Sequence, residues 1–271
     1  MQYMASRKFS VSTLLFVLLC IPGFTGCSHL HARLTYTFKE WKGQPRIHYE
    51  PGAEDLAMKV AGIFEEDIKR VEKGQYIAFR NVNEINVYIF NSKERYSKYS
   101  LASIRSRGSA TTSKIYLSPI LRDRIDTLPK ILTHELSHVH LRQYVGSRSS
   151  VMIIPGWFHE GLAVETSGGG GAEKISEMEA IVFIKSGHHF VPTESGSIFG
   201  HKTATDYGLK PHMYYRQASL FVRFLRRRDP VAFRQAYIAL SKGEDFDEIW
   251  PRYYSKSVKV LWDEFMAGLQ A

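Results

Sequence analysis

Two hydrophobic periods alternate along the chain. Between 54 and 72, Leu56, Val60, Ile63, Phe64, Ile68 and Val71 recur at three- and four-residue steps, the stripe of an amphipathic helix. Between 84 and 90, Ile85, Val87 and Ile89 alternate with polar neighbours, the period of a half-buried strand. A short helix is expected at 93–102 and a second strand at 115–117, closed by Pro119. The helical period returns at 128–145, where Ile131, Leu132, Leu136, Val139 and Leu141 form the apolar side. Asp126-Thr127 with Pro129 reads as an N-cap and first turn, and Gly146 as a C-cap. Pro155-Gly156 turns the chain into another helix, around Trp157-Phe158 and Leu162-Ala163. A glycine loop at 168–171, a helix at 172–185 and an irregular segment at 186–210 follow, then helices near 211–228, 230–241 and 256–269. Ahead of all this, 27–48 reads as a tether and a first strand, with 39–45 too polar to pack strongly. Strands precede helices, so the pattern predicts an α+β domain at 49–271: a small mixed sheet in an N-terminal subdomain, a helical C-terminal subdomain and a cleft between them.

The helix at 128–145 contains His134-Glu135-Leu136-Ser137-His138. Residues i and i+4 of a helix differ by about 40° in direction and about 6 Å in height, so both imidazoles leave one face and can share a metal ion. Glu135, beside the first of them, can reach a water in the same site. Two histidines and a glutamate on a core helix need partners, because burying them unpaired costs several kcal/mol. A catalytic zinc site takes three protein ligands and keeps an open position. His140 is about 200° round the helix from His138, which makes it structural or solvent-facing. Glu160 is the better third ligand: 21 residues lie between it and His138, enough for the helix to end and a second to return antiparallel, and Gly161 and Ala163 permit close approach. Glu165, about 140° further round, is the rival carboxylate. The metzincin pattern is excluded, since Leu141 and Tyr144 stand where it needs glycine and histidine.

The pattern H-E-x-x-H followed by W-F-x-E-G-x-A at 157–163 resembles the gluzincins of the peptidase MA-like group, related to the aminopeptidase N catalytic domain. The resemblance implies a zincin-like fold and a metallopeptidase holding one Zn²⁺ on His134, His138 and Glu160, with Glu135 as general base. Val164, where the thermolysin branch carries aspartate, argues against that branch. The segment from Tyr214-Tyr215-Arg216-Gln217-Ala218 onward resembles the family's helix after the zinc site, which places its transition-state tyrosine on Tyr215, with Tyr214 as the alternative. In zincins an edge strand above the cleft pairs with the substrate backbone; the matching segment is 108–117, which favours an extended peptide or protein substrate. Glu173, Glu177 or Glu179 could anchor a free amino terminus. His188, His189, His201 and His212 lie in or beside the irregular segment and read as loop histidines.

The chain opens with Arg7-Lys8, an apolar run from Phe9 to Phe24, then Thr25-Gly26-Cys27. The run is too short to favour a spanning helix and reads as a secretory signal at 1–26. Thr25-Gly26-Cys27 resembles a bacterial lipobox, with Cys27 as the lipidated residue, a lipid anchor as the membrane contact, and Ser28 directing the protein to the periplasmic face of the outer membrane. The only cysteines, Cys20 and Cys27, belong to this region, so neither a disulfide nor a thiolate metal site is available further on. The net charge is +9, or +7 once Arg7 and Lys8 leave with the leader. A basic protein near an anionic envelope accounts for that charge, and no aromatic-interleaved basic motif points to nucleic acid. A different class stays open: a non-catalytic envelope lipoprotein whose metal site is structural, or whose fold serves as a scaffold.

Overall fold

The computed structural model describes residues 29, 32, 35–146, 154–192 and 202–270. The leader with Cys20, Cys27, Ser28 and His201 lie outside them. Five short strands form one mixed sheet in the order β1-β2-β3-β5-β4: β1 (Lys39–Trp41), β2 (Gln44–Tyr49), β3 (Asn86–Ile89), β4 (Gly108–Ala110) and β5 (Lys114–Leu117). The pairs β2/β3 and β3/β5 are parallel; β1/β2 and β4/β5 are antiparallel. The helices with described bounds are α1 (Glu54–Gln75), α2 (Lys93–Ser100), α3 (Leu128–Val145), α4 (Gly156–Thr166), α5 (Glu177–Lys185), α6 (Pro211–Arg228), α7 (Pro230–Ser241), α8 (Phe246–Tyr254) and α9 (Val258–Gln270); positions 29, 32 and 35 are helical as well. This is the α+β class with a small mixed sheet. Among the described residues no helix is long and apolar enough to cross a membrane.

Register follows from the side-chain period of two. Ile47, Val87 and Ile115 align across β2, β3 and β5 and are wholly buried. They meet the stripe of α1, where Leu56, Val60, Phe64, Ile68 and Val71 are at most 4% exposed, each burial contributing about 1.5 to 3 kcal/mol. Leu132, Leu136 and Val139 of α3 complete that core. The opposite face of the sheet carries Tyr88 and Tyr116, packed with Phe90, Tyr96 and Tyr99. A second core lies among the helices, built on Trp157, Phe158, Phe221, Phe246, Trp250 and Trp262. Leu141 of α3 belongs to this second core, so α3 spans the boundary between the two.

Several expectations need correction. Residues 39–45 stay exposed or half-buried, as their polarity implies, but they belong to a hairpin of β1 and β2, with Trp41 edge-on to Tyr49 and, just beyond, Arg46 ion-paired to Glu65 over the Phe64 ring. The boundary expected at 49 therefore falls inside this hairpin, and Ala32, expected in the tether, is helical and buried against Phe90 and Tyr96. The segment 108–117 is two strands rather than one. The Thr127 side chain does not cap α3; its hydroxyl donates to the Arg124 carbonyl, and a 3₁₀ turn (Ile125–Thr127) leads into the helix. Gly146 does close it, at φ +77°. α5 starts at Glu177 rather than 172, because Ser176 and Glu179 form a reciprocal capping box there. α8 was not expected: Pro251 reads as a breaker, yet Phe246, Ile249 and Trp250 supply a buried i, i+3, i+4 face behind the Asp245 cap.

Candidate metal centre and cleft

α3 and α4 bring three of the expected ligands together. His134 Nε2 and His138 Nε2 lie 3.0 Å apart, and Glu160 Oε2 lies 3.4 Å from the first and 3.7 Å from the second. Four donors at about 2.0–2.1 Å around a tetrahedral Zn²⁺ stand about 3.3–3.4 Å from one another, so these separations suit one small cation. The donor chemistry suits it too. Glu160 Oε2 is buried and makes no hydrogen bond, and two imidazole nitrogens at 3.0 Å repel unless a proton or a cation stands between them. Burial alone would lower the affinity of His134 for a proton, but Glu160, helped by Glu135 and Glu173, outweighs it and raises it. Burial, with His134, Arg142 and His159 nearby, holds His138 well below the usual histidine range.

Glu135 is 7% exposed and faces the cleft. Burial, reinforced by Glu160, pushes its carboxyl up to about 7, against the pull of His134, Arg142 and Arg107. Glycines permit this crowding. A Cβ on Gly108 would stand 2.7 Å from Glu135 Oε1, and one on Gly171, at φ +84°, would stand 2.9 Å from His134 Cε1. β4 and the glycine loop therefore close directly on the motif helix.

The cleft is a cavity of about 510 Å³ between β4, α3, α4 and the start of α6. Tyr215 lines it with Glu160, and its ring centroid is 6.4 Å from that of His134. The Glu160 carboxylate first, and burial second, raise its phenol well above the ordinary value, so it stays a donor. Tyr214 points elsewhere, 97% buried and packed on Phe190 and Tyr207, and does not line the main cavity. Glu165 is not a ligand: it is ion-paired with Arg223 at 2.9 Å. Glu177 also pairs with Arg223, and Glu179 is taken by the cap of α5. Glu173 accepts from Arg107 at 2.6 Å and from the Gly171 amide.

His140 is buried rather than solvent-facing. Its Nε2 lies 3.0 Å from the Ile77 carbonyl and its Nδ1 2.9 Å from the Tyr237 hydroxyl. Burial pushes it down to about 4, so the neutral ring donates to Ile77 and accepts from Tyr237. Gln75 donates to Ser137, and Gln143 bonds the Asn81 backbone in both directions, so α3 is pinned to α1 and the turn after it on its polar side as well.

Four residues in or beside the cleft were missed from sequence. His159, next to Glu160, places its Nδ1 3.3 Å from His138 Nδ1 and so can fix that ring. Arg142 continues the His134–His138 stripe by one more turn, a spacing visible in the sequence. Arg107 precedes β4. His212, expected in a loop, stands in the first turn of α6 and lines the cleft, 3.8 Å from Glu173. His188 and His189 lie away from it, His188 exposed and His189 against Trp262. No protein-family model matches the chain, and no curated protein matches it.

Proposed function

We propose that this chain is a zinc-dependent peptidase of zincin-like fold, working in the cell envelope. The observation that carries the proposal is the convergence of His134, His138 and Glu160 donor atoms, from two helices, beside a buried Glu135 in an open cleft. One Zn²⁺ held by those three residues would supply a Lewis acid for the substrate carbonyl and acidify a water. Glu135 accepts the proton of the attacking water and delivers it to the leaving amine. Tyr215 donates its hydroxyl hydrogen to the carbonyl oxygen as that atom gains charge. His159 holds the His138 ring in one orientation.

β4 is the edge of the sheet. Its carbonyl at Arg107 accepts from Ser118 and its continuation at Thr111 donates to Lys114, so residues 107, 109 and 111 face β5. Gly108 and Ala110 thus turn their N–H groups to the cleft, where an extended peptide can pair with them. Thr25-Gly26-Cys27 supports a lipid anchor at Cys27 and an envelope location. The test compares wild type with Glu135→Gln on a mixed peptide library, with zinc content measured alongside. Glu135→Gln should keep about one zinc and lose 10²- to 10⁴-fold in kcat/KM. Equal rates for the two proteins would overturn the proposal, as would a wild type that binds no zinc.

A further inference from the structure

The cleft holds a cation that peptide hydrolysis does not require. Arg142 stands four residues after His138 and eight after His134, so it projects from the same side of α3, and it lines the cavity with Glu135 and His138. It is half-buried. Its Nη1 donates to the Ala110 carbonyl, and among the described residues no carboxylate forms an ion pair with it at 4 Å or less, Glu135 and Glu160 acting on it only from further off. Arg107, the other arginine set into this wall, is matched by Glu173 at 2.6 Å. A guanidinium has five N–H donors in a planar fork, so one backbone carbonyl leaves most of that capacity open toward the cleft. Desolvation of this charge outweighs the attraction of the more distant Glu135 and Glu160, so it is retained at a cost that a closer anion would offset. Arg105 at the mouth adds a second, exposed positive charge.

We propose that Arg142 receives a substrate carboxylate, making the cleft selective for peptides with an acidic group next to the bond that is cut. This inference rests on the peptidase reading above. The position follows from β4. Gly108 abuts Glu135, where the bond is attacked, and Ala110, held by Arg142, is two strand residues further on, about 6.6–6.8 Å. A carboxylate carried one or two residues from the bond, on the side lying over Ala110, reaches the guanidinium. That carboxylate is either an Asp or Glu side chain or the α-carboxylate of a short substrate.

The experiment uses one peptide series in which Glu or Gln is placed at each of two positions on either side of the cleaved bond, each made with a free and an amidated C-terminus. kcat/KM is measured for wild type, Arg142→Gln and Arg142→Lys. Wild type should prefer the acidic member of a pair by about 10- to 100-fold on one side only. The ratio should fall toward one in Arg142→Gln and to an intermediate value in Arg142→Lys, which keeps the charge and loses the fork. A preference that follows the free C-terminus identifies the α-carboxylate; one that survives amidation identifies the side chain. Should Arg142→Gln fail to fold once its hold on Ala110 is lost, wild type and Arg142→Lys still decide the matter. Binding of the same peptides to zinc-loaded Glu135→Gln, by fluorescence anisotropy, separates the two proposals. Cleavage without acidic preference overturns the anion site and leaves the peptidase standing. Acidic-selective binding that Arg142→Gln abolishes, in a protein that cuts no peptide, does the reverse. Neither cleavage nor selective binding overturns both.

Discussion

Replacing Gly161 by alanine adds one methyl group where α4 and α6 cross closely. Gly161 follows Glu160 on α4, and α4 packs against α6. The new Cβ would stand 2.7 Å from the Ala218 carbonyl oxygen, 2.8 Å from its carbon and 2.9 Å from Val222 Cγ2. Ordinary contact begins at 3.4 Å, so α6 must retreat by about 0.7 Å, and two of the three obstructing atoms are backbone that cannot turn aside. Overpacking of this kind costs about 1 to 3 kcal/mol. Alanine returns about 1 kcal/mol through its better helix propensity. Taking the upper part of the overpacking range, because backbone is involved, leaves a net loss of about 1 to 2 kcal/mol, or a fall of roughly 2 to 8 °C in Tm for a chain of this size. The same substitution at Gly62, on the exposed side of α1, meets nothing within 4 Å, and should raise stability by about 0.5 to 1 kcal/mol. The separation matters to the site as well, since α4 carries Glu160 and α6 carries Tyr215. Differential scanning calorimetry of both variants, with zinc titration of Gly161→Ala, checks the argument. Tm shifts of the same sign, or a Gly161→Ala variant that melts with the wild type, would refute it.

Tyr215→Phe should lower kcat by about 10²- to 10³-fold with KM little changed; a proportionate rise in KM instead would make Tyr215 a binding group. His159→Ala removes the partner of His138 Nδ1 and should weaken zinc binding about 10- to 100-fold in a competitive chelator titration; unchanged affinity would show that packing alone orients His138. Tyr237→Phe strands His140 Nδ1 in the interior and should cost about 1 to 3 kcal/mol in urea unfolding, and a loss below 0.5 kcal/mol would mean that water replaces the hydroxyl. Asp67, 1% exposed on α1, is pushed up to about 6 by burial, with Thr133 and Arg70 pulling the other way. Its folded value lies above its unfolded 3.8, so the native state keeps a proton that the unfolded chain releases between about pH 4 and 6. The resulting penalty is absent below that window, grows as pH rises through it and reaches at most roughly 2 to 3 kcal/mol above it. Asp67→Asn should therefore match wild type near pH 3.5 and exceed it in stability at pH 7.5. A difference that does not change with pH would rule out the titration.

The predicted elements that survived are those whose signal is local and repeated. The stripe of α1 and the alternation of β3 each place several apolar side chains on one face, and only one conformation buries them all. His134, Glu135 and His138 were legible for the same reason, because their relation is set by helix geometry alone. Short or compensated signals misled. Residues 39–45 look too polar to pack strongly and are exposed or half-buried, yet they pair as a hairpin, and just beyond them Arg46 pairs with Glu65 and lays its guanidinium over Phe64, contacts made by a helix about twenty residues away. α8 carries Pro251 inside it, and its burial outweighs the bond the proline forfeits.

Glu160 lay between these cases. Its candidacy followed from its spacing after His138 and from the W-F-x-E-G-x-A block, but its 3.4 Å approach to His134 depends on Gly161 lying against Ala218. His159, Arg107 and His212 carry no spacing that marks them, because their positions depend on how β4, α4 and α6 close around α3. The sequence by itself determined the kind of chemistry this chain can host, through two imidazoles and a carboxylate one helical turn apart. Only the tertiary structure decided which distant carboxylate joins them, that Tyr215 rather than Tyr214 faces the cleft, and that among the described residues Arg142 has no ion-paired carboxylate. The physical reason is range: a helix fixes neighbours four residues apart by its own hydrogen bonds, whereas contacts across tens of residues exist only once two separate cores have packed and set their elements against each other.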